Sequence, residues 1–163
     1  QAAGLVLLCQ PALMASCSPF AGRLSDRAEP RTVASTGMAM TATALAFFAF
    51  LGPATPIPLI ALNLVLLGVG FSLFSSPNTN AVMGSVDRRA YGVASATLGT
   101  MRLTGNLLSM TTATLVLSVF VGRQQITPAL HAAFLQGARV AFGIFAVLCV
   151  FGTFASLARG KVR

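Results

Sequence analysis

Residues 57–76 read Ile-Pro-Leu-Ile-Ala-Leu-Asn-Leu-Val-Leu-Leu-Gly-Val-Gly-Phe-Ser-Leu-Phe-Ser-Ser. No charged side chain interrupts this run, and a helix of that length rises about 30 Å, the thickness of a bilayer's hydrocarbon core. It reads as a membrane-crossing helix that continues to about residue 83. Gly68 and Gly70 leave room on it for another helix to come close, and Pro77 interrupts its hydrogen-bond ladder near the far end.

The same pattern repeats on both sides. Upstream lie residues 2–21, with Pro11 and Pro19 expected to bend the helix, and residues 32–51, which stop at Gly52-Pro53. Downstream lie residues 91–121, the least apolar run, and residues 129–157. Of the 163 residues, 55% are hydrophobic and only 9% charged, too few to cover the core of a soluble domain. These features predict an all-α membrane protein in which about five transmembrane helices form a single bundle, with no soluble domain.

The net charge of +8 raises the possibility of nucleic-acid binding. The basic residues, however, form short clusters between apolar runs, with no stripe of interleaved aromatics, so no nucleic-acid partner is expected. Alternate breaks carry Arg23, Arg27 and Arg31, then Arg88 and Arg89, then Arg159, Lys161 and Arg163, whereas the opposite side offers only Arg123 and perhaps Arg139. Basic flanks are retained in the cytoplasm, which places the C-terminus there. Cys9, Cys17 and Cys149 lie in apolar runs without CxxC spacing, and His131 is the only histidine, so no metal site, cofactor or disulfide framework is expected. The chain starts at Gln1 with no charged leader region, and reads as a piece of a longer protein.

Between the first two spans stands Gly22-Arg23-Leu24-Ser25-Asp26-Arg27, followed by Arg31. A tight turn there would use the freedom of glycine, and a carboxylate near helix N-termini is favoured by the macrodipole and can pair with arginines. Orientation and capping alone would also account for these residues. On the fourth span Gly92, Ala96 and Thr100 recur every four residues, with Gly99 beside them, making a narrow face suited to close helix packing or to sliding. Arg102 lies about 17 Å along that helix from Tyr91, near mid-bilayer, where a charge requires a partner. Asn106 is one turn on, on the same face. The pair belongs either to a buried ion pair or to a translocation path. Asn63 reads as interhelical glue. The three carboxylates, Asp26, Glu29 and Asp87, all fall between spans, and none can carry a proton within one.

The segment Gly22 to Arg31 resembles the loop signature of the major facilitator superfamily, although Glu29 and Pro30 stand where that family commonly has a glycine and a base. A second segment, through Gly68-Val69-Gly70-Phe71, Ser76-Pro77-Asn78, Gly92-Val93-Ala94-Ser95-Ala96 and Arg102-Leu103-Thr104-Gly105-Asn106, is similar to the multidrug drug and proton antiporter branch of the fourteen-helix type. The resemblance implies the last five helices of such a transporter, with the N-terminal half absent. It implies gating by Gly22, Asp26, Arg27 and Arg31, and proton-coupled efflux of drugs or other amphipathic molecules by alternating access. The partners it implies are membrane lipid, a small-molecule substrate, the N-terminal half and protons carried through that half, in a bacterial inner membrane. An uptake permease of the same superfamily, or a truncated non-transporting module, is the alternative. No catalytic constellation of an intramembrane enzyme is present, so no enzymatic activity is expected.

Overall fold

The computed structural model describes residues 2–27, 29–122 and 130–158, with side chains for 8, 10–24, 29, 31–122 and 130–158. Five helices account for nearly all of it: α1 (Ala2–Arg27), α2 (Pro30–Ala49), α3 (Ile57–Gly84), α4 (Tyr91–Val121) and α5 (His131–Ala158), with a 3₁₀ turn, Arg88–Ala90, before α4. No strand occurs among the described residues. Four segments, Arg31–Ala49, Ile57–Gly84, Arg88–Val121 and His131–Ala158, are long and apolar enough to cross a membrane, with mean hydropathy between 1.3 and 2.3. The remaining helix, α1, has 26 residues, enough to span with tilt.

The helix boundaries follow local chemistry. Pro30 opens α2, where its missing N–H costs nothing, and the Glu29 carbonyl accepts from Thr32 and Val33. The turn after α2 is closed by reciprocal bonds in which Gly52 N–H donates to Thr55 Oγ1 at 2.9 Å and Thr55 N–H to Gly52 O at 3.1 Å. Gly122 ends α4 at φ +72, a conformation that favours glycine, with its N–H donating to Ser118 O.

One boundary differs from the sequence expectation. The predicted first span stops near residue 21 and a turn follows, but α1 continues to Arg27. A single glycine costs a helix only about 1 kcal/mol, and no proline intervenes before Pro30, so nothing between them stops propagation. Gly22 therefore serves close packing rather than a turn: a Cβ there would lie 3.3 Å from Ser76 Oγ on α3. The predicted start of the last span at residue 129 lies outside the described residues, as do Arg123 and the basic tail.

In space the helices are ordered α1, α3, α2, α5, α4, and sequence neighbours α1 and α2 scarcely touch because α3 inserts between them. Residues of α3 two apart face its two partners. At Gly68 a Cβ would approach Gln10 O of α1 to 3.0 Å, and at Gly70 it would approach Gly37 O of α2 to 2.9 Å. The α2–α3 contact is reciprocal, since a Cβ on Gly37 would lie 2.6 Å from both Gly70 O and Phe74 N. Farther along the same interface buried Asn63 donates from Nδ2 to Ala44 O at 2.9 Å. The α2–α5 interface is held by Ser35 Oγ donating to Ser156 Oγ at 2.9 Å and by a tilted ring contact between Phe48 and Phe142. At its far end Arg139 Nε donates to Leu51 O just beyond α2, placing a cation at the negative end of the helix.

Two expected outcomes follow, both read as thermal unfolding in detergent. Gly37→Ala or Gly70→Ala forces the backbones apart and costs about 1–3 kcal/mol, as overpacking does, whereas Gly84→Ala, with nothing within 4 Å, leaves stability unchanged or slightly raised. Asn63→Leu removes an interhelical bond worth about 0.6–2 kcal/mol, and the loss appears only if the Asn63 contact is made in the folded protein.

Candidate functional site

The residues singled out by sequence fall into two separate places. The first is one end of the bundle. α1 and α3 run parallel, as Gln10 by Gly68 and Gly22 by Ser76 show, and α2 runs antiparallel to α3 and to α5. The C-terminal ends of α1 and α3 and the N-terminal end of α2 therefore gather together. Arg23 and Arg31 lie there, and the connection Ser85 to Ala90, with Asp87, Arg88 and Arg89, leaves from the same end.

Gly22, Asp26 and Arg27 occupy the final turns of α1 rather than a loop, and Arg31 is the second residue of α2. The side chains of Asp26 and Arg27 lie outside the described residues; Arg23 is exposed and Arg31 half-buried. Pro77, buried in α3, follows the Ser76 that abuts Gly22. Residues 22–31 thus form a charged junction in which one short connection joins two helices, with α3 packed against the first.

The second place is the middle of α4. Ten consecutive residues, 101–110, are exposed, so the helix stands clear of its neighbours along almost three turns. Arg102 and Asn106 lie in this stretch, and Arg102 has neither a hydrogen bond nor an ion-pair partner among the described residues. The hydroxyls on the same helix are occupied at home: Thr111 and Thr112 donate to Leu107 O and Leu108 O, each at 2.8 Å. Such back-bonding satisfies the donor internally and leaves Arg102 as the dominant polar group of the span.

The face of Gly92, Ala96, Gly99 and Thr100 is exposed as well. A Cβ on Gly92 or Gly99 would meet nothing within 4 Å, and Thr100 bonds its own helix at Ala96 O. Within the described residues this face packs against no helix. The tight contacts occur instead at Gly68, Gly70 and Gly37, of which the sequence reading missed Gly37. A small residue at 37 followed by Thr41 is the same small-xxx-small spacing, and would have flagged it.

Apolar grooves open on the surface, among them one between α2 and α3 and one along α4. The first, of about 460 Å³, is lined by Met40, Phe47, Leu59, Leu62 and Leu66 around Asn63. The second, of about 740 Å³, runs past Ala96, Thr97, Thr100, Met101 and Thr104. Neither brings together groups that could do acid–base or nucleophilic chemistry. No cluster of histidine, cysteine, aspartate or glutamate able to hold a metal occurs among the described residues.

Comparison with known proteins identifies the family. The description Major Facilitator Superfamily matches residues 1–161. The riboflavin transporter RibZ of Clostridioides difficile (strain 630) is 30% identical over 100 residues, covering 61% of this chain and 22% of that protein. The uncharacterized transporter YebQ of Escherichia coli (strain K12) is 35% identical over 118 residues, covering 72% of this chain and 26% of that protein. The chain thus spans about a quarter of the length of these relatives. No solved structure matches. Five apolar helices held by backbone contact, with a charged junction between the first two, are accordingly a multi-pass segment of a membrane transporter, and the chain belongs to the Major Facilitator Superfamily.

Proposed function

We propose that the chain is the C-terminal part of a secondary active transporter that exports drugs or other amphipathic small molecules at the expense of a proton gradient, by alternating access between two halves. The observation that carries this reading is the superfamily match along residues 1–161, with relatives that are themselves transporters. These apolar grooves and the scarcity of charge suit amphipathic cargo. The carboxylates of this chain lie in the last turns of α1 or in the connections after α1 and α3, so the proton-carrying acids belong to the N-terminal half. With basic residues gathered at the α1–α2 and α3–α4 connections, that end faces the cytoplasm of the inner membrane, and so does the C-terminus.

In this reading Gly22, Asp26, Arg27 and Arg31 gate the exchange between inward-open and outward-open states. A charged connection between two helices, one packed on α3 through Gly22, can make different ion pairs in the two states and so bias them. The riboflavin transporter among the relatives supports a second reading, an uptake permease for a planar heteroaromatic solute.

Everted membrane vesicles containing the full-length protein separate the two, with ethidium and riboflavin as probes. An exporter concentrates a probe inside energised everted vesicles and loses it on addition of a protonophore. Accumulation only in right-side-out vesicles selects the permease, and indifference of both probes to the protonophore overturns proton coupling.

For the junction, Asp26→Asn slows transport on the order of tenfold at equal expression, equivalent to about 1.4 kcal/mol in the barrier. A wild-type rate in that variant removes Asp26 from the gate.

A further inference from the structure

The connection between α3 and α4 sets two arginines at the end of an apolar pocket. The pocket, of about 360 Å³, is lined by Val82 of α3, by Val86 and Ala90 of the connection, and by Val93, Thr97 and Met101 along one face of α4. Among these six Thr97 carries the one hydroxyl, and its Oγ1 donates to Val93 O at 2.8 Å, so these side chains offer no free donor. From Ala90 to Met101 the pocket follows α4 for about 16 Å, close to one leaflet's half of a hydrocarbon core about 30 Å thick.

Arg88 and Arg89 stand between two of the lining residues, Val86 and Ala90, where α4 begins. Both are exposed, and neither guanidinium has a hydrogen bond or an ion pair among the described residues, the adjacent Asp87 included. The turn that carries them is closed on its own backbone, with Ala90 N–H donating to Asp87 O at 2.8 Å and Tyr91 N–H to Arg88 O. Tyr91, 41% exposed, follows directly and is of the residue type that settles at the boundary between headgroups and tails. The two arginines thus stand at headgroup level, and the pocket runs from there toward mid-bilayer.

We propose that this pocket binds one anionic phospholipid of the cytoplasmic leaflet, with its phosphate on Arg88 and Arg89 and one acyl chain along Val93, Thr97 and Met101. Two independent features select this occupant. Unpartnered guanidinium groups at headgroup depth call for an anion, and basic pockets between membrane helices on the cytoplasmic side suit anionic headgroups. The pocket itself is apolar and as long as one leaflet is deep, which fits an acyl chain and would be left empty by a free phosphate. The leaflet is the one given by the orientation proposed above, and the site is independent of the direction of transport.

The test is native mass spectrometry of the full-length protein in detergent, titrated with dioleoyl phosphatidylglycerol and, separately, with zwitterionic dioleoyl phosphatidylethanolamine. One phosphatidylglycerol is expected to bind more tightly than the ethanolamine lipid, by roughly fivefold or more. Arg88→Gln and Arg89→Gln are each expected to weaken it roughly fivefold, whereas Arg23→Gln, an equal loss of charge at the same end of the bundle, leaves it unchanged. Thr97→Phe, which fills the pocket from an exposed position, is expected to weaken it on the order of tenfold without lowering the melting temperature in lipid-free detergent. Equal affinity for the two lipids, or an equal loss in Arg23→Gln, overturns the headgroup site and leaves only diffuse attraction to a basic surface. Unchanged binding in Thr97→Phe overturns the acyl-chain pocket. A lowered melting temperature in Thr97→Phe, with no lipid held by the wild-type protein, overturns the site altogether and assigns the pocket to another segment of the protein. No transport is measured, so each of these failures leaves the export reading to its own test.

Discussion

The bundle depends on backbone approaching backbone at Gly37 and Gly70. Between helices in lipid there is little hydrophobic driving force, since the hydrocarbon tails are as apolar as the leucines they would displace. Association then rests on van der Waals contact, which grows as the axes approach, and on polar groups that bond across the interface. A reciprocal contact in which either glycine would drive a Cβ to 2.6–2.9 Å from the opposing backbone is as close as two helices come. Gly68, two residues before Gly70, turns the same logic toward α1, so that α3 holds a helix on each side. The order α1, α3, α2, α5, α4 follows from this, and the charged junction at residues 22–31 is carried to the flank of α3 by it.

Polar groups are used sparingly and largely at home. Thr41, Thr43, Thr79, Thr97, Thr100, Thr111, Thr112, Thr114 and Thr153 each donate to the carbonyl four residues back, which disposes of a hydroxyl in lipid without a partner helix. Those that reach across are few and placed at interfaces: Asn63 to α2, Ser35 to Ser156 between α2 and α5, and Arg139 to the end of α2. Ser72 is the exception, its Oγ buried and without a partner among the described residues. Against this background the bare Arg102 stands out.

The charged junction shows how the shape of a motif can be misread from its residues. The spacing of Gly22, Asp26 and Arg27 suggests a turn because glycine and charge usually mark one. In the folded chain the helix runs on to Arg27, since the strong breaker there is Pro30, and Gly22 lies close against Ser76. The same residue type thus serves the opposite purpose, and only the neighbour across the interface distinguishes the two.

Sequence alone determined the class and number of the elements. Helices in a bilayer must satisfy every backbone group internally, so hydropathy and length suffice to find them. Superfamily membership was legible for a similar reason, because its loop signature at residues 22–31 is local. Tertiary structure decided which glycines make contact. Gly92 and Gly99 carry the spacing of a packing face and touch nothing among the described residues, while Gly37 went unremarked and lies at a close backbone crossing with Gly70. It also decided that Arg102 is exposed although it shares a face of α4 with Phe120, which closes on Gly137 of α5. Spacing along one helix states which residues share a face, but what lies opposite depends on the axes of other helices, and those are set by contacts far apart in the chain.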